Sequence, residues 1–238
     1  MKVEILAGPE DVAAAAARWI VREAQAAVAA RGRFTLALSG GRTPWRMTEL
    51  LAASPVPWHA THLLQVDERV APRGDPDRNL TGLERTLLSR IALPPGNLHA
   101  MPVEPPDLEA AARAYAGELA RATAGTGVLD VVHLGLGADG HAASLVPGDP
   151  VLGVAGADVA VTAPYGGRRR MTLTYPVLDR ARTILWVVTG AGKAEMLARL
   201  VAGDGDIPAG RVRADRATVI ADAAAAPGRS PGSGGGTA

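Results

Sequence analysis

Short apolar runs alternate along the chain with longer segments in which apolar residues recur at helical spacing. The apolar runs predict strands at residues 3–6, 34–38, 61–66, 129–134, 159–162, 171–174, 183–189 and 217–221. The segments between them predict helices at about residues 9–31, 44–53, 80–90, 107–123, 193–201 and 222–226. Such alternation is typical of a three-layer α/β/α fold with a mostly parallel central sheet, because each crossover helix covers one face of the sheet.

The composition is uniform from residue 1 to about residue 226, with no internal repeat and no linker-like stretch. We therefore predict a single α/β domain over residues 1–226. From Pro227 onward Gly, Ser and Pro dominate the sequence. This composition predicts a disordered tail over residues 227–238, because it cannot bury enough apolar surface to fold.

Charge and composition argue against several classes of function. Lys and Arg total 25 against 24 Asp and Glu, and aromatic residues make up only 3% of the chain, so we expect no nucleic-acid-binding or membrane-binding surface. The absence of cysteine excludes disulfides, thiolate catalysis and zinc–thiolate sites. Neither a secretory signal nor an apolar stretch of the ~20 residues that span a bilayer is evident. A cytoplasmic location is the expectation.

A glycine-rich loop joins the second predicted strand to the helix that follows, and it consists of Ser39, Gly40, Gly41, Arg42, Thr43 and Pro44. We expect Pro44 to be the first helical residue and Thr43 to cap the helix. The unpaired N–H groups at a helix start attract anions, and Ser39 and Thr43 add hydroxyl donors. The spacing matches neither a Walker loop nor Gly-x-Gly-x-x-Gly, so it favours a single phosphate over a nucleotide. The alternative is an ordinary strand-to-helix turn.

A second glycine-rich segment, residues 135–141, follows the apolar run at 129–134 and ends in His141. Ligands of open α/β sheets bind at the carboxyl ends of the strands, so we interpret His141 as the chemical centre of the protein. Asp139 lies two residues earlier, and we expect it to shape the loop or orient the imidazole. The alternative is an isolated histidine that is hydrogen-bonded at the surface.

Charged residues follow other predicted strands as well. Asp67-Glu68-Arg69 begins a polar loop that extends to Asn79, and Lys193 lies near the start of a helix. Arg170 ends a run of three arginines at residues 168–170. Each group either faces an anionic ligand or is an ordinary solvated side chain, and the pattern leaves both interpretations open.

Four blocks occur in order along the chain: LSGGRTP at residues 38–44, DER through Asn79 at residues 67–79, GLGADGHAASLVPG at residues 135–148, and RMTLT through TGAGK at residues 170–193. In this order they resemble the 6-phosphogluconolactonase family of the glucosamine-6-phosphate isomerase/deaminase superfamily. Any one block is weak evidence, whereas four in series are specific. The match extends over nearly the whole chain to about residue 226, and it implies a NagB/RpiA/CoA transferase-like fold.

The resemblance implies hydrolysis of 6-phospho-D-glucono-1,5-lactone to 6-phosphogluconate in the oxidative pentose phosphate pathway, without a metal or an organic cofactor. It assigns phosphate binding to the Ser-Gly-Gly loop and Lys193, and it places Arg69 and His141 at catalytic positions. Further candidate contacts to the sugar-phosphate lactone are Arg42, Asp67, Asn79 and Arg170. The expected assembly is a monomer or a weak homo-oligomer.

Opening a lactone requires a general base for water and a donor for the developing oxyanion. His141 is the expected base because an unperturbed imidazole titrates at about pH 6.5. The chain has no Gly-x-Ser-x-Gly elbow, which favours direct attack by water over an acyl-enzyme. Two departures from the family pattern, Arg42 and Arg78, either tighten phosphate binding or face solvent.

Two other functions stay open from the sequence. An amino-sugar phosphate deaminase on the same fold would need a carboxylate base, for which Asp67 is the candidate. Arg69 and the pair Ser144-Leu145 argue against it, because deaminases usually carry other residues at these places. A non-catalytic sugar-phosphate sensor would usually carry a helix-turn-helix, and 238 residues leave no room for one beside this domain.

Overall fold

A computed structural model describes residues 1–228 of the chain. Its strands, in chain order, are β1 (Lys2–Leu6), β2 (Phe34–Leu38), β3 (Thr61–Gln65), β4 (Asp67–Arg69), β5 (Leu98–His99), β6 (Val131–Leu134), β7 (Val159–Val161), β8 (Arg170–Leu173), β9 (Thr183–Val188) and β10 (Ala217–Asp222). Its α-helices are α1 (Pro9–Arg31), α2 (Arg42–Ala52), α3 (Asn79–Thr86), α4 (Leu108–Ala122), α5 (Tyr175–Arg180) and α6 (Ala194–Ala202).

The central sheet has seven strands in the order β1-β10-β9-β6-β2-β3-β5, and every pairing in it is parallel. Successive side chains of its central strands enter two different apolar layers. In β9, Ile184, Trp186 and Val188 pack with residues of α4 and α6, whereas Leu185 and Val187 pack with residues of α1. Burial on both faces explains why these strands are continuous apolar runs in the sequence. The predicted three-layer α/β/α fold is confirmed.

A second, antiparallel sheet has the order β4-β8-β7. Its register sets Asp67 opposite Thr172 and Arg69 opposite Arg170. The sequence predicted strands near β7 and β8 but not this separate sheet, and it placed residues 67–69 in a loop. The reason is that β4 consists of three charged residues and therefore lacks the apolar or β-branched signature of a strand.

Several predicted boundaries are wrong. The chain forms turns rather than a helix at residues 223–226, because Pro227 disfavours helical backbone at the residue before it and ends the segment within one turn. The helix predicted at 80–90 ends at Thr86 and is followed by a single 3₁₀ turn, Leu88–Arg90. The two-residue strand β5 escaped prediction because two residues carry no periodicity. The predicted tail falls almost wholly on residues 229–238, which lie outside the described residues.

The start of α2 also differs from the prediction. The helix begins at Arg42, with Gly41 in the capping position and no side-chain cap. Thr43 does not cap it, because the Thr43 hydroxyl lies 2.6 Å from the Thr189 hydroxyl at the end of β9. Within residues 1–228, none of the helices is long and apolar enough to cross a bilayer.

Candidate active site

A cleft of about 300 Å³ opens beyond the carboxyl ends of β2, β6 and β9, where ligands of parallel α/β sheets bind. Its volume is at the lower end of the range for small-molecule sites, about 300–1,000 Å³. All of the predicted site residues except Asp139 line it, namely Ser39, Gly40, Gly41, Arg42, Thr43, Asp67, Arg69, Asn79, His141, Arg170 and Lys193. Residues that follow strands of the parallel sheet and residues of the antiparallel sheet therefore line the same cleft.

The Ser39–Thr43 loop is held from below by His133 of β6. The Ser39 amide donates to His133 Nδ1 at 3.3 Å, and the Ser39 hydroxyl donates to the His133 carbonyl oxygen at 2.9 Å. The Ser39 hydroxyl proton is thus directed into the fold rather than into the cleft. The amides of Arg42 and Thr43 precede the first intrahelical bond of α2, from Trp45 to Gly41, so they have no intrahelical acceptor. Backbone donors at a helix start suit a phosphate.

Gly40 gives this loop its close contact with Asn79. A Cβ atom at residue 40 would lie 2.0 Å from Asn79 Oδ1, so any side chain there would displace the amide. The Asn79 amide nitrogen in turn donates to the backbone and side-chain oxygens of Asp67, at 2.9 and 3.0 Å. The glycine therefore couples the loop after β2 to the residue that starts β4.

Lys193 enters the cleft from the turn between β9 and α6. The preceding Gly190 amide donates to both carboxylate oxygens of Asp222, at 2.9 and 3.1 Å, which fixes this turn to the end of β10. Burial lowers the pKa of Lys193, Asp139 raises it and Arg42 lowers it, with a net decrease. The Ser39–Thr43 loop, which includes Arg42, and the Lys193 side chain together form the first cationic pole of the cleft.

Arg69 and Arg170 form the second cationic pole. They face each other across the β4–β8 pairing, an arrangement of like charges that is unfavourable without an anion nearby. The Nε atoms of both side chains are buried and have no hydrogen-bond partner among residues 1–228. Burial and the neighbouring Arg69 together lower the pKa of Arg170. Two unpaired guanidinium donors at a cleft are suited to a carbonyl oxygen or a carboxylate.

His141 and Asp139 form a pair at the wall of the cleft. Nδ1 of His141 lies 2.6 Å from Oδ1 of Asp139, and the Tyr165 hydroxyl donates to Oδ2 of the same carboxylate at 2.9 Å. Partial burial raises the pKa of Asp139, but the interaction with His141 and the Tyr165 hydrogen bond outweigh it, so the pKa is lowered overall. A carboxylate acceptor at Nδ1 places the proton there and leaves Nε2 of His141 as a base.

Gly137 makes room for this pair. A Cβ atom at residue 137 would lie 2.2 Å from Nδ1 of His141 and 2.4 Å from Oδ1 of Asp139. No side chain fits there without moving the imidazole or the carboxylate. The glycines of the 135–141 segment therefore serve the packing of the His–Asp pair as well as the turn.

Asp67 has a partner on each carboxylate oxygen. Oδ1 accepts from Asn79 as described above, and Oδ2 accepts from the Ser144 hydroxyl at 2.6 Å. In the sequence Ser144 stands out only as a departure from the deaminase pattern, and its contact with Asp67 has no sequence signal. The two residues are 77 positions apart, so no local pattern could have paired them.

Glu68 and Arg78 are structural, and both interpretations of Arg78 were wrong. The fully buried Glu68 carboxylate accepts from the amides of Asn79 and Leu80 at 2.7 and 2.9 Å, which satisfies the start of α3. Arg78 is 1% exposed and pairs with Glu68 at 3.3 Å and with Glu104. Arg78 therefore neither contacts the cleft nor faces solvent; it balances the buried charge of Glu68.

Comparison with known proteins identifies the family to which the chain belongs. A family model described as glucosamine-6-phosphate isomerases/6-phosphogluconolactonase matches residues 7–221. The chain belongs to this family. It is 35% identical to the 6-phosphogluconolactonase of Synechocystis over 184 residues, which covers 76% of each chain.

Solved structures of the family share the architecture. The crystal structure of 6-phosphogluconolactonase from Thermotoga maritima matches with a TM-score of 0.83 and 28% identity, over 92% of this chain and 98% of that one. A monomeric glucosamine-6-phosphate deaminase matches with a TM-score of 0.81 at 21% identity, over 94% of this chain and 98% of that one. The second likeness concerns the fold alone, so the choice between the two reactions depends on the cleft.

We expect the stability of the protein to fall in mild acid because of His133. Burial lowers the pKa of this imidazole to about 3, whereas in the unfolded chain it is about 6.5. Between these values the unfolded state binds one more proton than the folded state, so the contribution is complete above about pH 6.5 and is lost as the pH falls toward 3. Protonation linked to His133 alone should lower the free energy of unfolding by up to ~1.4 kcal/mol for each pH unit of acidification in this range.

Urea unfolding at pH 7.5, 6.5 and 5.5 measures this slope. His133→Asn keeps an acceptor near the Ser39 amide but cannot titrate, so its slope should be smaller. The matched control is His59→Asn, because His59 is exposed and should leave the slope unchanged. Equal slopes for the wild type and both variants would contradict the assignment to His133.

Proposed function

We propose that the protein hydrolyses 6-phospho-D-glucono-1,5-lactone to 6-phospho-D-gluconate, with His141 activating the attacking water. The observation that carries this proposal is the shared cleft: a histidine paired with a carboxylate and a helix-start loop beside Lys193 line the same cavity of about 300 Å³. One six-carbon phosphosugar has both an anion to anchor and a reactive carbonyl. Relatives named 6-phosphogluconolactonase support the same substrate.

The first cationic pole binds the phosphate. The free amides at the start of α2 and the side chains of Arg42 and Lys193 suit a dianionic group. Binding at the phosphate does not itself change during the reaction. Its role is to hold C1 of the lactone beside His141, so that the reacting atoms meet without a further entropic cost.

Nε2 of His141 takes a proton from water, and the water oxygen bonds to C1 as the carbonyl oxygen becomes an oxyanion. The C1–O5 bond of the lactone then breaks, and the imidazolium returns the proton to the departing O5, which becomes the C5 hydroxyl. Asp139 stabilises the imidazolium between these steps. The second water proton stays on the new carboxyl group, which releases it to solvent at neutral pH. Arg69 and Arg170 donate to the oxyanion and then to the product carboxylate, where charge develops.

The deaminase alternative requires a carboxylate that is free to accept a proton from carbon. Asp67 has hydrogen-bond donors on both carboxylate oxygens, from Asn79 and Ser144, and is 4% exposed. A carbon-bound proton would have to compete with these donors, because each oxygen already accepts a hydrogen bond. The paired state of Asp67 therefore favours the lactonase over the deaminase.

The deciding experiment measures three activities of the purified full chain. Freshly prepared 6-phosphogluconolactone should disappear much faster than in buffer alone, after correction for spontaneous opening. Unphosphorylated gluconolactone should react poorly, because it lacks the anchoring group. Release of ammonia from glucosamine 6-phosphate, with no lactone hydrolysis, would overturn the proposal, and binding of either phosphosugar without turnover would indicate a sensor.

We further propose that the enzyme works as a monomer or a weak homo-oligomer in the cytoplasm. The phosphate anchor, His141 and the two arginines all lie on one chain, which supports a site that is complete in each subunit. Activity per chain should therefore be independent of protein concentration, and dilution series with sedimentation analysis test this directly.

A further inference from the structure

Tyr165 contacts both the His–Asp pair and the second cationic pole. Its hydroxyl donates to Asp139 Oδ2 at 2.9 Å, and its ring meets the His141 ring edge-on, with centroids 5.8 Å apart. The Arg170 guanidinium lies over the same ring, 4.9 Å from its centroid. No pattern in the sequence distinguished this tyrosine.

The position of Tyr165 is set by a tight turn between β7 and β8. Its amide donates to the Arg168 carbonyl at 2.9 Å, across Gly166 and Gly167, which have φ of +60° and +80°. Two central residues with positive φ are typical of the hairpin turns that match strand twist. The Arg168 side chain then pairs with Asp75 at 3.1 Å and Asp77 at 3.3 Å, which attaches the hairpin to the loop before α3.

We propose that Tyr165 is a positioning residue for lactone hydrolysis: it fixes the Asp139 carboxylate so that one oxygen faces His141, and its ring supports the Arg170 side chain at the cleft. The inference depends on the role of His141 in the proposed function. Tyr165 does not line the cleft, so it acts through Asp139 and Arg170 rather than on the substrate.

The hydroxyl fixes the orientation of the pair. A donor to Oδ2 holds the Asp139 carboxylate with Oδ1 toward Nδ1 of His141. Without this donor the carboxylate can rotate about its Cβ–Cγ bond, which weakens the contact that orients the imidazole. The hydrogen bond to Asp139 raises the pKa of Tyr165, so the phenol keeps its proton and donates throughout the working range.

The other charges around the pair stay in place when Tyr165 changes. Arg170 on β8 and Lys193 before α6 both interact with the Asp139 charge. Asp67 on β4 and Arg69 interact with Arg170, and Arg42 interacts with Lys193. Tyr165→Phe removes only the hydroxyl and keeps the ring beneath Arg170, whereas Tyr165→Leu removes both.

In Tyr165→Phe we expect kcat to fall about tenfold with KM nearly unchanged, as for the loss of one hydrogen bond to a charged group. The Nδ1 proton signal of His141, followed by NMR in the free protein and assigned by its absence in His141→Asn, should shift and broaden because its acceptor is no longer held in one orientation. Tyr165→Leu should in addition raise KM, because Arg170 loses its support.

Tyr175→Phe is the matched control. The Tyr175 hydroxyl also donates one hydrogen bond at 2.9 Å, but to the Pro208 carbonyl outside the cleft, and this variant should keep both kcat and the Nδ1 signal of His141. If Tyr165→Phe matches the wild type in both readouts, the inference is wrong. If His141→Ala retains turnover, the proposed function of His141 fails instead, and the Nδ1 signal of His141 in Tyr165→Phe still reports on the positioning role of Tyr165.

Discussion

His141→Ala should lower kcat by about 10²–10⁴-fold, the range that positioned general bases contribute. The affinity for 6-phosphogluconate should change little, because the imidazole binds neither the phosphate nor the loop that receives it. The imidazole contacts Asp139 and Tyr165 rather than the phosphate-binding loop, so its removal should leave the Ser39–Thr43 loop and Lys193 intact. Steady-state kinetics and calorimetric titration with the product measure the two quantities separately.

A useful control for this variant is His59→Ala, since His59 is exposed and outside the cleft. It should retain wild-type kinetics. A near-normal kcat in His141→Ala would remove the imidazole from the chemistry and leave Asp67 and the two arginines as the groups to be tested next. A parallel loss of product affinity would instead indicate that His141 supports binding of the substrate as a whole.

Lys193→Ala should raise KM by about 10–100-fold with a smaller change in kcat, as expected when a charge-assisted hydrogen bond of ~1.5–3 kcal/mol to the phosphate is lost. The same variant should hydrolyse unphosphorylated gluconolactone as well as the wild type does, because that substrate has no group for the ammonium to bind. This split separates phosphate anchoring from a general loss of structure.

The chain offers one matched control for this change. Lys2 and Lys193 are the only lysines in the sequence, and Lys2 is exposed on β1. Lys2→Ala removes the same charge from an exposed position outside the cleft and should leave KM unchanged. An unaltered KM in Lys193→Ala would assign phosphate binding to Arg42 and the α2 amides alone.

Most of the cleft could be predicted from the sequence because its residues lie at the ends of strands. An apolar run followed by glycine or charge is a local signal, and in a parallel sheet such ends must meet on one edge. For this reason the sequence alone predicts that the loop at Ser39 and the segment ending in His141 lie close together. The family resemblance then supplied Lys193 and Arg69, which local patterns alone left ambiguous.

Contacts between polar residues that are distant in the chain could not be predicted from the sequence. Tyr165 is 26 positions from Asp139, and Ser144 is 77 positions from Asp67, and neither pair has a periodic or compositional signature. The small antiparallel sheet was missed for a related reason: β4 is stabilised by the hydrogen bonds of buried carboxylates rather than by apolar side chains. Such elements depend on partners that only the folded chain provides.

The ion pair between Glu68 and Arg78 has a consequence for how this family can vary. Loss of either partner alone would strand a charge inside the protein, at a cost of about 3–5 kcal/mol. Because Arg78 departs from the family pattern while Glu68 belongs to the shared DER block, relatives without this arginine must neutralise or solvate the acid beneath their third helix in another way. Sequences that carry the arginine should therefore form a separate branch of the lineage.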